Sequence, residues 1–263
     1  MHFAKMHGAG NDFVIINTFS ENIQDNYSEL AIKLCDRNFG IGADGLIFVL
    51  PSEKNDIKMR IFNPDGSEPE MCGNGIRCFA RFVYEEGIVQ KKIIEVETLA
   101  GTIIPEIITE NDKVTGIKVD MGTPEFNLPR TVEFAGMDFE ITTVNMGNPH
   151  CVIFVEDLSK IDVSKWGPVI EKDPMFPNKT NVEFVQVINE SKMKMKVWER
   201  GAGITLACGT GACATLVAGV INNKTNNKAE VVLSGGTLII DWPEKKKIYM
   251  TGPAELVFKG EII

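Results

Sequence analysis

The amino-acid sequence contains an internal repeat. Two Cys-Gly-x-Gly motifs, Cys72–Gly75 and Cys208–Gly211, lie 136 residues apart (208 − 72). A strand-like segment, Lys58–Phe62, returns at the same offset as Lys194–Trp198 (194 − 58). Four landmarks in one order at nearly one spacing indicate a duplicated domain. The other two pairs, at offsets of 135 and 137 residues, are Gly101-Thr102 with Gly236-Thr237 and Gly10-Asn11 with Gly147-Asn148.

Each repeat combines apolar strand-like segments with one helix that follows its Cys-Gly-x-Gly motif. The helices are predicted from about Gly75 to Glu86, with Gly87 as the stop, and from about Gly211 to Asn222. The second is apolar almost all round, which predicts burial on several sides. The predicted fold class is α/β, of the α+β type: two pseudo-symmetric repeat domains, each a curved, mainly antiparallel sheet around a central helix. The predicted strands, rich in Val and Ile, are Phe13–Ile16, Leu46–Leu50, Ile57–Phe62, Ile93–Val96, Val152–Val155, Val182–Val187, Met193–Trp198 and Val231–Leu233.

The composition of the chain argues against two classes of partner, nucleic acids and membranes. A formal net charge of −9 argues against nucleic acid, because phosphate contacts need a concentrated basic face. No apolar run reaches the roughly 18 residues of a membrane span, and the N-terminus lacks the basic-then-apolar layout of a signal peptide. We therefore expect a cytoplasmic protein with neither nucleic-acid nor membrane partners. The spacing of the six cysteines and three histidines indicates no metal site.

The two motif cysteines, Cys72 and Cys208, each come just before a predicted helix. The free backbone N–H groups and positive dipole end of a helix N-terminus favour negative charge. A thiol placed there is expected to have its pKa lowered from about 8.5 toward neutrality. The flanking glycines let backbone N–H groups approach a carboxylate closely. Each motif therefore predicts a reactive thiol beside a carboxylate cradle.

A pseudo-twofold axis between the repeats would place the two motifs face to face across a cleft. Inversion of a carbon centre needs a base on one face and an acid on the opposite face. Two equivalent thiols, one of them ionised, serve both directions by exchanging roles. The sequence therefore predicts a cofactor-independent epimerase or racemase of an amino acid.

Several other features do not indicate chemistry. Gly40–Gly45 has the glycine spacing of a dinucleotide-binding loop, but the strand-like Leu46–Leu50 follows where such a loop requires a helix. The segment is predicted to be a glycine turn. Small apolar packing roles are predicted for the remaining cysteines, which are Cys35, Cys78, Cys151 and Cys213.

Six strings of residues, in order along essentially the whole chain, resemble those of the diaminopimelate epimerase family. They include both Cys-Gly-x-Gly motifs. The strings are Phe3–Phe13, Phe62–Glu68, Met71–Cys78, Met146–His150, Trp198–Gly203 and Ala207–Cys213.

The resemblance implies epimerisation of LL- to meso-diaminopimelate in the synthesis of lysine and peptidoglycan precursors. It implies a small-molecule amino-acid substrate, no cofactor, no metal and a cytoplasmic enzyme, with a homodimer as the common state in the family. It also allows the C-terminal strand to return to the first domain. The expected domains are then residues 1–115 plus 253–263, and residues 116–252.

Carried over position by position, the resemblance makes Cys72 and Cys208 the acid–base pair. Backbone N–H groups of Gly73-Asn74 and Gly209-Thr210 would hold the carboxylate at the reacting centre. His150 and Glu199 would help to orient the reacting ammonium or the thiols. The remote amino-acid end would be held by Asn63, Asn148, Asn181, Glu199 and Arg200, with Asn11 completing the pocket.

Two positions depart from the family pattern. Gly45 stands where some relatives have a substrate-contacting Gln, and Ile204 stands where some have Glu. The first departure puts one polar contact in doubt.

Three alternatives remain open at this stage. One is a racemase of another amino acid on the same scaffold, and one is a fold-related isomerase that moves a double bond with a carboxylate base. The third is a non-catalytic amino-acid-binding protein. The matched cysteines argue against the second.

Overall fold

The structure, a computed structural model, describes residues 1–21, 23 and 26–262. The chain divides into two compact units, Met1–Val119 with Gly252–Ile263, and Asp120–Thr251. Ile263, the last residue of the expected first domain, lies outside the described residues. No helix in the described part of the chain is long and apolar enough to cross a membrane.

The elements are numbered along the chain. The α-helices are α1 (Tyr27–Cys35), α2 (Gly73–Glu85), α3 (Val163–Glu171) and α4 (Gly209–Ile221). The strands are β1 (His2–Gly8), β2 (Asn11–Asn17), β3 (Gly45–Leu50), β4 (Ile57–Phe62), β5 (Val96–Thr98), β6 (Gly101–Ile103), β7 (Glu106–Glu110), β8 (Lys113–Asp120), β9 (Glu125–Phe126), β10 (Arg130–Phe134), β11 (Met137–Asn145), β12 (Pro149–Phe154), β13 (Asn181–Asn189), β14 (Lys192–Glu199), β15 (Gly203–Ile204), β16 (Lys228–Leu233), β17 (Gly236–Asp241), β18 (Tyr249–Gly252) and β19 (Glu255–Glu261).

The first unit contains a seven-stranded sheet with a helix on each face. Its strand order is β19-β1-β2-β3-β4-β5-β6, and only the β2–β3 and β4–β5 pairs in that order are parallel. Helix α2 packs on β1 to β4. Helix α1 packs on β3 and β4, where Leu30 and Leu34 join a core with Val14, Leu46 and Phe48. Because both faces are covered, Phe13–Ile16 of β2 and Gly45–Val49 of β3 are buried without interruption.

The second unit repeats this plan. The order β10-β11-β12-β13-β14-β16-β17-β18 contains two parallel pairs, β12–β13 and β14–β16. Helix α4 packs on β11 to β14, β16 and β17, and its residues Gly211–Val220 are all buried. Helix α3 packs on β13, β14 and β15. The burial that the apolar composition of α4 predicted is confirmed.

The two units correspond element by element. The succession β1-β2-α1-β3-β4-α2-β5-β6 returns as β11-β12-α3-β13-β14-α4-β16-β17, with parallel and antiparallel pairs in the same places. Helices α2 and α4 each have 13 residues and start 136 residues apart (209 − 73). The predicted fold class of two repeated α/β domains, each a mainly antiparallel sheet with a central helix, is confirmed.

Local boundaries differ from the sequence-based expectation in two ways. Helices α2 and α4 begin directly after Cys72 and Cys208, two residues earlier than predicted. Strand β5 begins only at Val96, and Ile93 makes an isolated bridge to Glu106 instead. The segment Gly40–Gly45 joins α1 to β3, so a strand follows it. This order does not suit a dinucleotide loop.

Candidate active site

Cys72 is the N-cap residue of α2. Its backbone is extended, with φ −138° and ψ 117°, and the Gly75 N–H donates to its sulfur at 3.5 Å. Glycine suits position 75, because a Cβ there would lie 3.4 Å from the Cys72 Cβ and 3.0 Å from Ile61 Cδ1. The thiol therefore lies against the positive end of the helix, where negative charge is stabilised.

An amide pair completes the surroundings of Cys72. The Cys72 thiol lies 3.8 Å from Asn11 Oδ1, which also accepts from Asn74 Nδ2 at 3.1 Å. The Asn11 Nδ2 donates to Asp44 Oδ2 at 2.7 Å. Because Asp44 binds the donor side of this amide, the Asn11 oxygen is left to face the thiol. The first unit therefore brings together Asn11, Cys72, Gly73 and Asn74.

Asn63 lies at the end of β4, in the turn that leads to Ser67. Its Nδ2 donates to Ser67 Oγ at 2.9 Å, and its backbone N–H donates to the Ser67 carbonyl at 2.8 Å. At Gly45, a Cβ would lie 3.1 Å from the Phe62 carbonyl oxygen and 3.2 Å from the Phe13 ring. A longer side chain at position 45 would require these neighbours to shift.

Cys208 occupies the same place in the second unit. It is the N-cap residue of α4, with φ −126° and ψ 108°. Its sulfur lies 3.6 Å from Thr210 Oγ1, and Asn148 Nδ2 donates to that hydroxyl at 3.3 Å. Asn148 and Thr210 thus correspond to Asn11 and Asn74 of the first unit.

The electrostatic environment of Cys208 differs from the sequence-based expectation. Burial, followed by the negative charges of Glu199 and Glu183, raises the pKa of the Cys208 thiol well above its ordinary value. Hydrogen bonds from Thr210 and the Gly211 backbone act in the opposite direction but do not outweigh them. The predicted lowering of the pKa is therefore wrong for Cys208, because two carboxylates and a buried position overcome the helix terminus.

Glu199 ends β14 and is half-buried. Burial raises its pKa above the ordinary value, while hydrogen bonds with Thr205 and Cys208 act to lower it. The Thr205 hydroxyl donates to Glu199 Oε1. The carboxylate is therefore held beside the thiol rather than in solvent.

Arg200 and Asn181 are linked to each other. Asn181 Oδ1 accepts from the Arg200 backbone N–H at 2.9 Å, and Asn181 Nδ2 donates to the Pro149 carbonyl at 2.9 Å. The Arg200 guanidinium donates to the Asn178 carbonyl at 3.2 Å. With His150, Arg200 lines an open cavity of about 890 Å³ within the second unit. Asn181 thus fixes the backbone that carries Arg200.

His150 is fully buried between two polar partners. Its Nδ1 lies 2.7 Å from Glu183 Oε1, and its Nε2 lies 3.0 Å from Asn148 Oδ1. Glu183 was not among the residues expected in the site. Its signal in the sequence is a lone carboxylate within the apolar strand Val182–Val187, at the position where the first repeat has Ile47.

The four remaining cysteines are buried. Burial raises the pKa of Cys35 to about 11 and the pKa of Cys78 to about 12. Cys35 ends α1 and Cys78 lies within α2, so neither is at a helix N-terminus as Cys72 and Cys208 are. Among the described residues, no group of three or more His, Cys, Asp or Glu side chains is arranged to hold a metal ion.

Comparison with known proteins identifies the family of the chain. The sequence model described as diaminopimelate epimerase matches residues 3–127 and 142–257. The diaminopimelate epimerase of Pelotomaculum thermopropionicum is 52% identical over 99% of this chain and 98% of its own length. That of Moorella thermoacetica is 53% identical over 99% of each chain. The chain belongs to the diaminopimelate epimerase family.

Solved structures support the same fold at lower identity. A Bacillus anthracis phenazine biosynthesis protein of the PhzF family covers 100% of this chain and 99% of its own, with a TM-score of 0.78 and 19% identity. A probable proline racemase from Agrobacterium radiobacter covers 100% of this chain and 92% of its own, with a TM-score of 0.69 and 14% identity. At such identities the likeness concerns the fold.

Proposed function

We propose that this protein converts LL-diaminopimelate into meso-diaminopimelate, with Cys72 and Cys208 as the acid–base pair. The observation that carries the proposal is the repeated thiol: in a member of this family, each central helix has a cysteine as its N-cap residue. The product would enter lysine biosynthesis. We further propose that the two compact units are the two repeat domains, each contributing one thiol.

The chemistry requires one proton to leave the α-carbon and another to return on the opposite face. A thiolate takes the α-proton, so that a C–H bond breaks and an S–H bond forms. The other thiol then gives its proton to the carbanion, and the pair is left with exchanged protonation states. Such positioned proton transfers typically contribute about 10² to 10⁴ in rate. Because both directions use the same two groups, the reaction is reversible without any further acid or base.

Backbone N–H groups at the two helix N-termini support the binding of the reacting carboxylate. In the proposal they belong to Gly73-Asn74 and Gly209-Thr210, which are the first residues of α2 and α4. Unpaired N–H groups at a helix start bind anions. They also favour the extra negative charge that the carboxylate gains as the α-proton leaves.

The remote amino-acid end is assigned to the polar residues that flank this cradle. Arg200 has the bidentate geometry that suits a carboxylate, and Glu199 accepts hydrogen bonds from an ammonium. Asn63, Asn148 and Asn11 supply amide groups, while Asn181 acts through the Arg200 backbone. These assignments make the second amino-acid head group of the substrate the main source of specificity.

Proton exchange in heavy water tests the proposal. LL-Diaminopimelate incubated with the protein should gain one solvent deuterium at the inverted α-carbon and convert to the meso form, as followed by NMR and chiral chromatography. Proline, glutamate and histidine are assayed in parallel. Binding without exchange would indicate an amino-acid-binding protein, and faster exchange with one of the other three amino acids would indicate a different racemase.

We also propose a cytoplasmic homodimer. Four of the cysteines, Cys35, Cys78, Cys151 and Cys208, are free thiols, as is typical of proteins in a reducing compartment. Strand β19 is at the edge of its sheet and exposes Leu256, Val257 and Phe258. Exposed apolar side chains on an edge strand favour contact with another protein surface, and the partner proposed is a second copy of this chain. Light scattering coupled to gel filtration should give a mass of about two chains, and Val257→Lys should shift it toward one.

A further inference from the structure

Glu183 is a buried carboxylate that the proposed mechanism does not use. It lies on β13, its side chain and that of His150 are fully buried, and Oε1 is 2.7 Å from His150 Nδ1. Its second oxygen, Oε2, has no hydrogen-bond partner among the described residues. A buried acceptor without a partner costs free energy, and a buried ion pair is weak evidence for stability. The carboxylate therefore calls for a role other than stability.

The fold does not require this pair, because the first unit has apolar residues in both places. In the parallel pair β12–β13, His150 is opposite Asn181, and in β2–β3 the corresponding residue Phe13 is opposite Gly45. Glu183 is opposite Val197, and the corresponding pair in the first unit is Ile47 with Ile61. The same sheet is thus built once with a buried His–Glu contact and once without it.

A chain of hydrogen bonds leads from Glu183 to the thiol of Cys208. From Glu183 it passes 2.7 Å to His150, then 3.0 Å to Asn148 and 3.3 Å to the Thr210 hydroxyl, which is 3.6 Å from the sulfur. The carboxylate also lies against the helix start: a Cβ on Gly211 would be 2.7 Å from Glu183 Oε1 and 3.2 Å from the sulfur.

The direction of this chain depends on the His150 ring. Both atoms that face the ring, Glu183 Oε1 and Asn148 Oδ1, are acceptors, so the ring satisfies both only when both of its nitrogens carry protons. Asn148 Nδ2 then donates to Thr210, and the Thr210 hydroxyl hydrogen is left for the sulfur. If Nε2 loses its proton, the Asn148 amide must turn to donate to the ring. Thr210 then donates to Asn148, and the sulfur loses this donor.

We propose that Glu183 is a positioning residue for Cys208. Its carboxylate binds Nδ1 of the His150 ring, and the ring directs the chain of donors through Asn148 and Thr210 at the sulfur, where the donors support the thiolate. The inference rests on the proposed role of Cys208 as one of the two bases. The proposal explains why only the second repeat has the Glu183–His150 pair, since Cys208 is deeply buried beside Glu199.

Other charged or titratable groups share this environment, and the experiment must separate their effects. Cys208 on α4, Glu199 on β14 and Cys151 on β12 all interact electrostatically with Glu183. The groups that line the same cavity as His150 are Glu125, Arg130, Lys179 and Arg200. Simple repulsion by Glu183 would hinder ionisation of Cys208, whereas the chain of donors would favour it. The two effects therefore have opposite signs in a Glu183→Gln variant.

The rate at which iodoacetamide alkylates Cys208, followed by peptide mass spectrometry from pH 6 to pH 10, measures thiolate formation. Glu183→Gln should slow Cys208 alkylation about tenfold at pH 7, equivalent to a rise of one pKa unit. Cys72 in the same sample should change less than about twofold. Glu199→Gln is the matched control, because loss of this adjacent carboxylate should speed Cys208 alkylation. Faster or unchanged Cys208 alkylation in Glu183→Gln would overturn the proposal.

Thr210 variants keep the test valid if Glu183→Gln folds poorly. Thr210→Val removes the hydroxyl from the first turn of α4 and should slow Cys208 alkylation as Glu183→Gln does, while Thr210→Ser should restore it. The double variant should be no slower than either single one, since both interrupt one chain. Independent, additive effects would contradict the chain. The assay contains no diaminopimelate, so its outcome is separate from that of the heavy-water experiment.

Discussion

At the scale of single residues, the two thiols occupy the same position of the fold in different surroundings. Cys72 is half-buried, and its neighbour is an amide oxygen that Asp44 holds in place. Cys208 is only 5% exposed and lies beside two carboxylates. The two thiols therefore share their position at the start of a central helix, while the charged groups around them differ.

Replacement of either motif cysteine should abolish epimerisation. Cys72→Ala and Cys208→Ala each remove one of the two proton-transfer groups, so kcat should fall at least about a hundredfold. Cys35→Ala is the control, because Cys35 is buried in the core under α1 and should leave most activity intact. The epimerase activity of each of the three variants is measured by coupled assay in both directions. Full turnover by either motif variant would contradict the two-thiol mechanism.

Asp12, next to Asn11 at the start of β2, gives stability a dependence on pH. Its carboxylate pairs with Lys5 at 2.5 Å and with Arg37 at 2.8 Å. Burial acts to raise the pKa of Asp12, but the hydrogen bonds with Arg37 and Lys5 outweigh it and lower the pKa from 3.8 to about 2. A carboxylate with a lowered folded-state pKa adds stability above its unfolded pKa and loses it as pH falls through the folded value.

Asp12→Asn should therefore lower the free energy of unfolding by about 2 kcal/mol at pH 7. The difference from the parent should shrink below about pH 4 and be mostly lost by about pH 2, where the parent carboxyl is half protonated. Urea denaturation over this range measures the difference in the free energy of unfolding, and Asp138→Asn, at an exposed position of β11, is the control. A difference that stayed constant from pH 7 to pH 2 would show that charge is not its cause.

At the scale of elements, the second glycine of each motif has a different neighbour. A Cβ at Gly75 would meet the end of the Ile61 side chain at 3.0 Å, and that end can rotate away. A Cβ at Gly211 would meet Glu183 Oε1 at 2.7 Å, and that carboxylate is fixed by His150. Both glycines lie in a helix, so alanine would otherwise gain about 1 kcal/mol at either position.

Gly211→Ala should thus be less stable than its counterpart Gly75→Ala. Forcing a methyl group into a packed site costs about 1–3 kcal/mol, which corresponds to a thermal midpoint lower by roughly 2–4 °C per kcal/mol in a chain of this size. Calorimetry of the two variants beside the parent gives the comparison. Equal midpoints would mean that the Glu183 carboxylate moves freely.

The sequence predicts the central elements well because their patterns are local. Strands β2 to β5, β12 to β14 and β16 and the helices after the motifs follow from apolar runs, whereas β1, β6, β11 and β17 are not predicted from the sequence. Helices α1 and α3 were not predicted: each has nine residues, and α3 contains Pro168 in its interior. Helix α3 is stabilised by tertiary packing instead, since Gly167 leaves space for the Trp198 ring and Ile170 is buried in the core.

The candidate site was predictable only where a motif marked it. Cys72 and Cys208 were found because the repeat preserved them, but the raised pKa of Cys208 depends on Glu199 and Glu183, which pairing of β13 with β14 brings near the helix start. Asp44 orients Asn11 from 33 residues away along the chain. Contacts of this kind depend on strand register, which a single sequence does not fix.

At the scale of the whole molecule, the repeat preserved the chemistry and changed its surroundings. Asn63-Pro64 in the first repeat corresponds to Glu199-Arg200 in the second, at an offset of 136 residues (199 − 63). An epimerase of this substrate must invert one centre and only recognise the other. The loss of symmetry at this position therefore suits a group that holds the remote carboxylate and ammonium.

Arg200→Met tests that assignment. The Arg200 side chain is exposed in the free protein, with one bond from its guanidinium to the Asn178 carbonyl, so it is available to a ligand. Loss of a bidentate charge partner that becomes buried on binding costs about 2–5 kcal/mol, so kcat/KM for diaminopimelate should fall at least about 30-fold. Arg130→Met is the matched control, because Arg130 lines the same cavity but lies outside the Trp198–Gly203 string. Circular dichroism checks the fold of both variants. A near-normal kcat/KM in Arg200→Met would remove the remote-end role from this residue and favour a racemase of a smaller amino acid.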